Sequence, residues 1–128
     1  MAKIKFSYPQ GLILCRAKIC GKGKPVLLKM AIDTGSTKTI IPPEAALSIG
    51  INPAHSKRTT EITTGSGTVM CPVVTIPKFS CLGITCKKLD VVCHNLPPES
   101  PVEGLLGLDF FKGHLVIIDF HKGTLEVR

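Results

Sequence analysis

An all-β fold, a barrel or a sandwich, is what this 128-residue sequence predicts. Three observations carry that expectation. Short apolar stretches recur at regular spacing with turn residues between them. Several alternate apolar and polar residues with the period of two that a half-buried strand requires. The third is the scarcity of helical pattern, with one convincing helix in the first hundred residues.

The elements follow in order. Leu12 to Ile19 alternates, placing Ile13, Cys15, Ala17 and Ile19 on one face of a strand. Gly21-Lys22-Gly23-Lys24 reads as a hairpin turn, and Pro25 to Ile32 as the returning strand, with Leu28, Met30 and Ile32 sharing a face. Asp33 then projects to the other face. Thr39-Ile40-Ile41 is a short extended piece. Pro42 to Gly50 reads as a short helix, with proline near its start and glycine at its end. Thr59 to Val69 favours two strands around a flexible Gly65-Ser66-Gly67 tip. Val73 to Ile76 and Leu89 to Cys93 are further short strands. Asn95 to Pro101 carries three prolines and belongs to a surface loop. Gly104 to Phe111 brackets an apolar pair with two glycines and places Asp109 where it could cap a turn or two of helix. Leu115 to Phe120, the His121-Lys122-Gly123 turn and Thr124 to Val127 form a last hairpin.

Composition narrows the function classes. The length suits one domain, spanning residues 1–128, that buries enough surface to fold without staples. Tryptophan is absent and tyrosine occurs once, at Tyr8, so the core must be aliphatic with a few phenylalanines. The formal net charge is +7, which a solvated basic surface explains and which an acidic partner would also fit. Many lysines fall in expected turns (Lys22, Lys24, Lys57, Lys87, Lys88, Lys112, Lys122), and no aromatics interleave with them, so no nucleic-acid partner is expected. The six cysteines form no Cys-x-x-Cys pair, the four histidines are dispersed, and no metal or cofactor is expected. Cys81 and Cys86 flank a turn at Leu82-Gly83 and could face each other, although buried thiols are the expected state. Met1 to Phe6 lacks the apolar region of a signal peptide and no apolar run is long enough to span a bilayer. The expected address is cytosolic, with reduced thiols and no membrane partner.

The chemistry centres on Asp33-Thr34-Gly35. An apolar strand delivers one acidic side chain into a tight turn, and the small residues after it let backbone amides approach the carboxylate. Taken alone the triplet also fits a plain Asx turn. Its context is richer: Ala31-Ile32-Asp33-Thr34-Gly35-Ser36-Thr37, then a glycine-tipped hairpin, then Gly104-Leu105-Leu106-Gly107-Leu108-Asp109-Phe110-Phe111. In that combination and order the chain resembles the retropepsin-like aspartic proteases, single-lobed relatives of pepsin, over roughly residues 11–128. The cellular and microbial branch is the nearer one, because retroviral enzymes usually carry Gly-Arg-Asn or Gly-Arg-Asp at the second motif.

The resemblance implies a closed β-barrel with a flap hairpin and one or two short helices. It implies an aspartic endopeptidase whose second carboxylate is Asp33 of another copy, in a homodimer cleaving an extended polypeptide. It assigns Thr34, Gly35 and Ser36 to support of the active-site loop: Thr34 bonding across the dimer axis, the Gly35 amide near the carboxylates, and the Ser36 hydroxyl placed to donate to the outer oxygen of Asp33. Such a donor would favour the ionised form and move the pH optimum downward. Thr64, Gly65, Ser66 and Gly67 become the substrate-binding flap, without the tyrosine of pepsin-like flaps. Leu105, Leu106 and Gly107 become a structural brace under the Asp33 loop. Asp109 reads as a helix cap rather than a second catalytic acid, and Asp90 and Asp119 as solvent-facing or paired charges. The final hairpin, Val116 to Val127, is a candidate for the dimer sheet. A rival reading keeps the fold and the dimer but makes the protein a peptide-binding module that does not cut.

Overall fold

The computed structural model describes residues 2–6 and 11–128; Tyr8 lies outside them. Ten strands and one α-helix follow in order: β1 (Ala2–Lys5), β2 (Leu14–Cys20), β3 (Val26–Ile32), β4 (Ile40–Ile41), α1 (Pro43–Ser48), β5 (Thr59–Thr64), β6 (Gly67–Cys81), β7 (Ile84–Cys93), β8 (Gly104–Leu106), β9 (Val116–Asp119) and β10 (Thr124–Val127). Short 3-10 turns occupy Pro53–His55 and Leu108–Phe111. The larger sheet runs β2-β3-β8-β4-β7-β6-β5, and a further pairing of β2 with β6 closes six of these strands into a barrel. Closure removes the free edges of those six strands. A second sheet, β1-β10-β9, is antiparallel throughout.

The alternation in β2 folds as its pattern dictates, with Cys15, Ala17 and Ile19 buried and Arg16 and Lys18 exposed. Leu28 and Met30 of β3 join them inside, together with Ile41, Ile49, Ile76, Phe79, Val91, Leu106, Phe110 and Leu125. The aromatic content of this core is small and concentrated: the Phe79 and Phe110 rings lie 5.4 Å apart between centroids. Proline at the first helical position starts α1, and Gly50 at φ +83° follows its end.

The β6–β7 hairpin is longer than the sequence pattern suggests. Val73 to Ile76 and Leu89 to Cys93 are only its inner parts, and pairing continues to Cys81↔Ile84. The interruption lies at Pro77, which sits opposite Lys88 at φ +59°. Ile76 and Phe79 are both buried although three residues apart, while Pro77 and Lys78 between them are exposed. The strands exchange faces there, which hides the simple period of two from a sequence reading. Lys87 and Lys88, expected in a turn, therefore lie within β7. The Leu82-Gly83 turn is present, with both residues at positive φ. It sets Cys81 opposite Ile84 and Cys86 opposite Phe79, so the two cysteines do not face each other. Cys81 instead meets Cys15. The interaction with Cys15, then burial, pushes the Cys81 thiol up, whereas the same interaction lowers Cys15 against the opposing effect of its burial; the Cys81 thiol donates to the Arg16 carbonyl at 3.3 Å. All six cysteines are free thiols.

β1 has no counterpart in the sequence reading. Its residues alternate between half-buried Ala2 and Ile4 and exposed Lys3 and Lys5, and its partner β10 is at the far end of the chain. The Phe6 amide donates to the Gly123 carbonyl at 2.8 Å and continues that pairing.

A polar clasp holds the base of β5. Arg58 donates to both carboxylate oxygens of Asp90, at 2.7 and 3.2 Å, and Thr75 donates its hydroxyl to the same group at 2.6 Å. The Arg58 hydrogen bond, followed by that from Thr75, holds the Asp90 carboxyl below the usual carboxylate range. A carboxyl lowered on folding stabilises the protein fully above its unfolded value, about pH 3.9, and loses that contribution as pH falls through the folded value. Asp90→Asn is therefore expected to melt below the wild type at neutral pH, with the two melting curves converging as pH falls below the unfolded value of about 3.9 and through the lower folded one. Melting temperatures measured across that range check it. A gap that stays constant with pH would show that the carboxylate charge has no part in it.

Candidate active site

The Asp33 loop is built from backbone ties. The Ile32 amide donates to the Ile13 carbonyl at 2.9 Å, and the Asp33 amide to the Leu106 carbonyl at 3.0 Å. β8 lies parallel to β3, with Ile32 beside Leu106, and brings Gly104-Leu105-Leu106-Gly107 directly under the loop. The Ser36 amide closes the turn on the Asp33 carbonyl at 3.1 Å, and the Leu108 amide reaches the Ser36 carbonyl at 2.9 Å. Gly107 must be glycine, because a Cβ there would stand 2.7 Å from the Lys38 carbonyl and 2.8 Å from that of Ser36.

The carboxylate is half-buried, and Thr34 and Gly35 beyond it are exposed. The Gly35 amide donates to Asp33 Oδ1 at 2.9 Å. A Cβ at Gly35 would come within 3.2 Å of that same oxygen, so the small residue gives the amide its close approach. The Ser36 hydroxyl behaves differently from the expectation. Its proton goes to the Lys38 carbonyl at 2.7 Å, not to Asp33. A serine hydroxyl has one proton to donate, and here the turn commits it to a backbone carbonyl.

Beneath the loop lies a cluster that the sequence reading did not assemble. Thr39, wholly buried, donates its hydroxyl to Asp109 Oδ1 at 2.7 Å and its amide to Oδ2 at 3.1 Å. The Thr39 hydroxyl also accepts the Gly107 amide at 3.1 Å. Asp109 Oδ1 further accepts the Phe110 amide. Asp109 is thus not the N-terminal cap of its 3-10 turn; that position belongs to Gly107 and has no side-chain bond. The signal was present in the Gly-Leu-Asp-Phe run, but its partner stands 70 residues away.

The β5–β6 hairpin turns through Gly65-Ser66, with Thr64 opposite Gly67. The Thr64 hydroxyl donates to the Gly67 carbonyl at 2.9 Å and accepts the Ser66 amide at 3.2 Å. Val69 and Met70 are exposed on the same arm. A cleft of about 310 Å³ runs between the Asp33 loop, at Gly35 to Lys38, and β5, at Thr60 to Thr63. The hairpin tip does not line that cleft. Thr64 and Ser66 line a second cavity of about 500 Å³, shared with Val69 and the His94–Pro98 loop. Among the described residues, no three His, Cys, Asp or Glu side chains are placed to hold a metal ion, and no helix is long and apolar enough to cross a membrane. Asp119 accepts the His121 and Lys122 amides at the last hairpin's turn.

Comparison with known proteins gives one family and one fold. The family model described as aspartyl protease matches residues 15–110. The chain is similar in structure to a retropepsin-like aspartic protease from Rickettsia conorii, with a TM-score of 0.72 at 20% identity, over 96% of this chain and 86% of that one. A protease from simian foamy virus (mac) matches with a TM-score of 0.48 at 23% identity, over 74% of this chain and 87% of that one. No curated protein matches by sequence.

Proposed function

The chain belongs to the aspartyl protease family and has a retropepsin-like fold, and from that premise we propose that it is an aspartic endopeptidase acting as a homodimer. The observation that carries the proposal is Asp33. It is fixed through the backbone at the end of a barrel strand, bonded to the Gly35 amide, and followed by the exposed Thr34 and Gly35. One carboxylate cannot both take a proton from water and polarise the scissile carbonyl. Two copies of the loop meeting across a two-fold axis supply the second.

Two carboxylates in contact resist double ionisation and share one proton over a range of pH. The ionised member accepts a proton from a water between them, and the protonated member donates a hydrogen bond to the scissile carbonyl. Water attacks directly, with no covalent enzyme intermediate. Thr34 bonds between the two loops, Gly35 keeps its amide at the carboxylate, and Ser36 stiffens the turn through Lys38. The Leu105-Leu106-Gly107 segment braces the loop from below. The Thr64–Gly67 tip closes over an extended peptide and excludes water. The hairpin of β9 and β10 joins the dimer sheet: β9 has β10 as its one strand partner among the described residues, and its other edge is open. A cytosolic address is part of the same proposal and rests on the sequence reading.

Hydrolysis of an unfolded protein, followed from acidic to neutral pH over a range of enzyme concentrations, tests the reading. Specific activity is expected to rise with concentration and level off as the dimer saturates. Constant specific activity from a monomeric species would overturn the shared site. Absence of cleavage at every pH would overturn the peptidase.

A further inference from the structure

The cations that look scattered in the sequence converge on the outside of the barrel. Arg16 of β2 stands directly opposite Lys29 of β3, and Lys78 of β6 directly opposite Lys87 of β7. Lys18 lies between the two pairs, opposite Leu27 on one side and Ser80 on the other. All five cations are exposed. Like charges directly opposed across a ladder destabilise a sheet, and here two such pairs occur on adjoining strands. None of the five forms an ion pair. β2 and β3 contain no Asp or Glu, the ion pairs among the described residues are Arg58–Asp90 and Arg128–Glu126, and Glu103 is bonded to the Lys29 backbone, accepting from its amide and donating to its carbonyl. Beside Lys18, and two residues along β3 from Lys29, stands Leu27, 62% exposed.

We infer that this face of the barrel docks the protein on an anionic lipid surface through Arg16, Lys18, Lys29, Lys78 and Lys87, with Leu27 entering the headgroup region. Three features select a bilayer over other polyanions. The four strands are interior to a closed barrel, so an acidic peptide finds no free edge to pair with. Among the described residues, the outward positions of β2, β3, β6 and β7 on this face carry no aromatic side chain on which bases could stack. Four of the five cations are lysines, hydrated point charges suited to a diffuse negative surface, where forked recognition of one phosphate would favour arginine.

Sedimentation with phosphatidylcholine vesicles, with and without phosphatidylserine, tests this. The protein is expected to sediment with the phosphatidylserine vesicles at low salt, to be released by added salt, and to stay in solution with phosphatidylcholine alone. Each cation removed should weaken binding about fivefold, so Lys78→Gln/Lys87→Gln should lose about 25-fold. Leu27→Ser should weaken binding without changing its salt dependence. The double variant should melt no lower than the wild type, because a repulsive pair has gone, which separates lost binding from lost folding. Equal sedimentation with neutral vesicles, undiminished binding by the double variant, or displacement from vesicles by a single-stranded oligonucleotide would each overturn the inference.

Discussion

Asp33→Asn is expected to lower peptide hydrolysis by about 10²- to 10⁴-fold while leaving the fold in place. The substitution removes both carboxylates of the proposed dyad at once, because each copy carries the same change. The fold should survive because the loop hangs on backbone bonds. The Asp33 amide to Leu106, the Ser36 amide to Asp33 and the Leu108 amide to Ser36 do not involve the carboxylate. The bond from the Gly35 amide can be accepted equally by the asparagine amide oxygen. Circular dichroism and melting temperature check the second half of the expectation, and an activity assay the first.

Mixing sharpens the test. If the centre is shared, variant and wild-type chains combine, and at equal amounts about a quarter of the dimers keep both carboxylates. Adding an equal amount of variant to a fixed amount of wild type should then about halve the activity. A site complete within one chain would leave it unchanged. Undiminished function of the pure variant, with peptide binding retained, would favour the peptide-binding module over the enzyme.

How far the site could be read from sequence depends on the range of its bonds. The Asp33 turn is local: apolar strand, acidic residue, then small residues, all within a few positions, and the Gly35 amide lies where that pattern places it. The hairpins at Gly21–Lys24, Gly65-Ser66 and His121–Gly123 were equally legible, because each is set by its own turn residues. What escaped depends on partners distant in sequence. β1 pairs with β10 across nearly the whole chain. The face exchange at Pro77 and Lys88 concealed half of the longest hairpin. The sequence offers the Ser36 hydroxyl both the Asp33 carboxylate and nearby backbone carbonyls, and only the folded turn assigns it to the Lys38 carbonyl. The basic face required the register of four strands, none of which shows it alone.

Asp109→Ala is the second substitution expected to have a large effect, and here stability falls first. It strips the acceptor from the Thr39 hydroxyl, the Thr39 amide and the Phe110 amide. Thr39 is wholly buried and Asp109 half-buried, so water replaces the lost carboxylate poorly at the Thr39 donors. A buried donor left without a partner costs ~1–3 kcal/mol, and bonds to a charged acceptor lie toward the upper end, so a loss of about 3 kcal/mol or more is expected in urea unfolding. Activity should fall further than the unfolded fraction explains. The Thr39 hydroxyl accepts the Gly107 amide, Gly107 continues β8, and the Leu106 carbonyl of β8 holds the Asp33 amide. Freed from Asp109, Thr39 no longer fixes that relay. The same chain of contacts ranks the neighbours. Thr39→Ser keeps the hydroxyl and should stay close to the wild type. Thr39→Val keeps the amide bond to Asp109 but leaves the Gly107 amide unpaired, and should fall between the two. Turnover measured under conditions where each variant is fully folded separates positioning from stability. An Asp109→Ala protein as stable and active as the wild type would show that β8 alone holds the Asp33 loop.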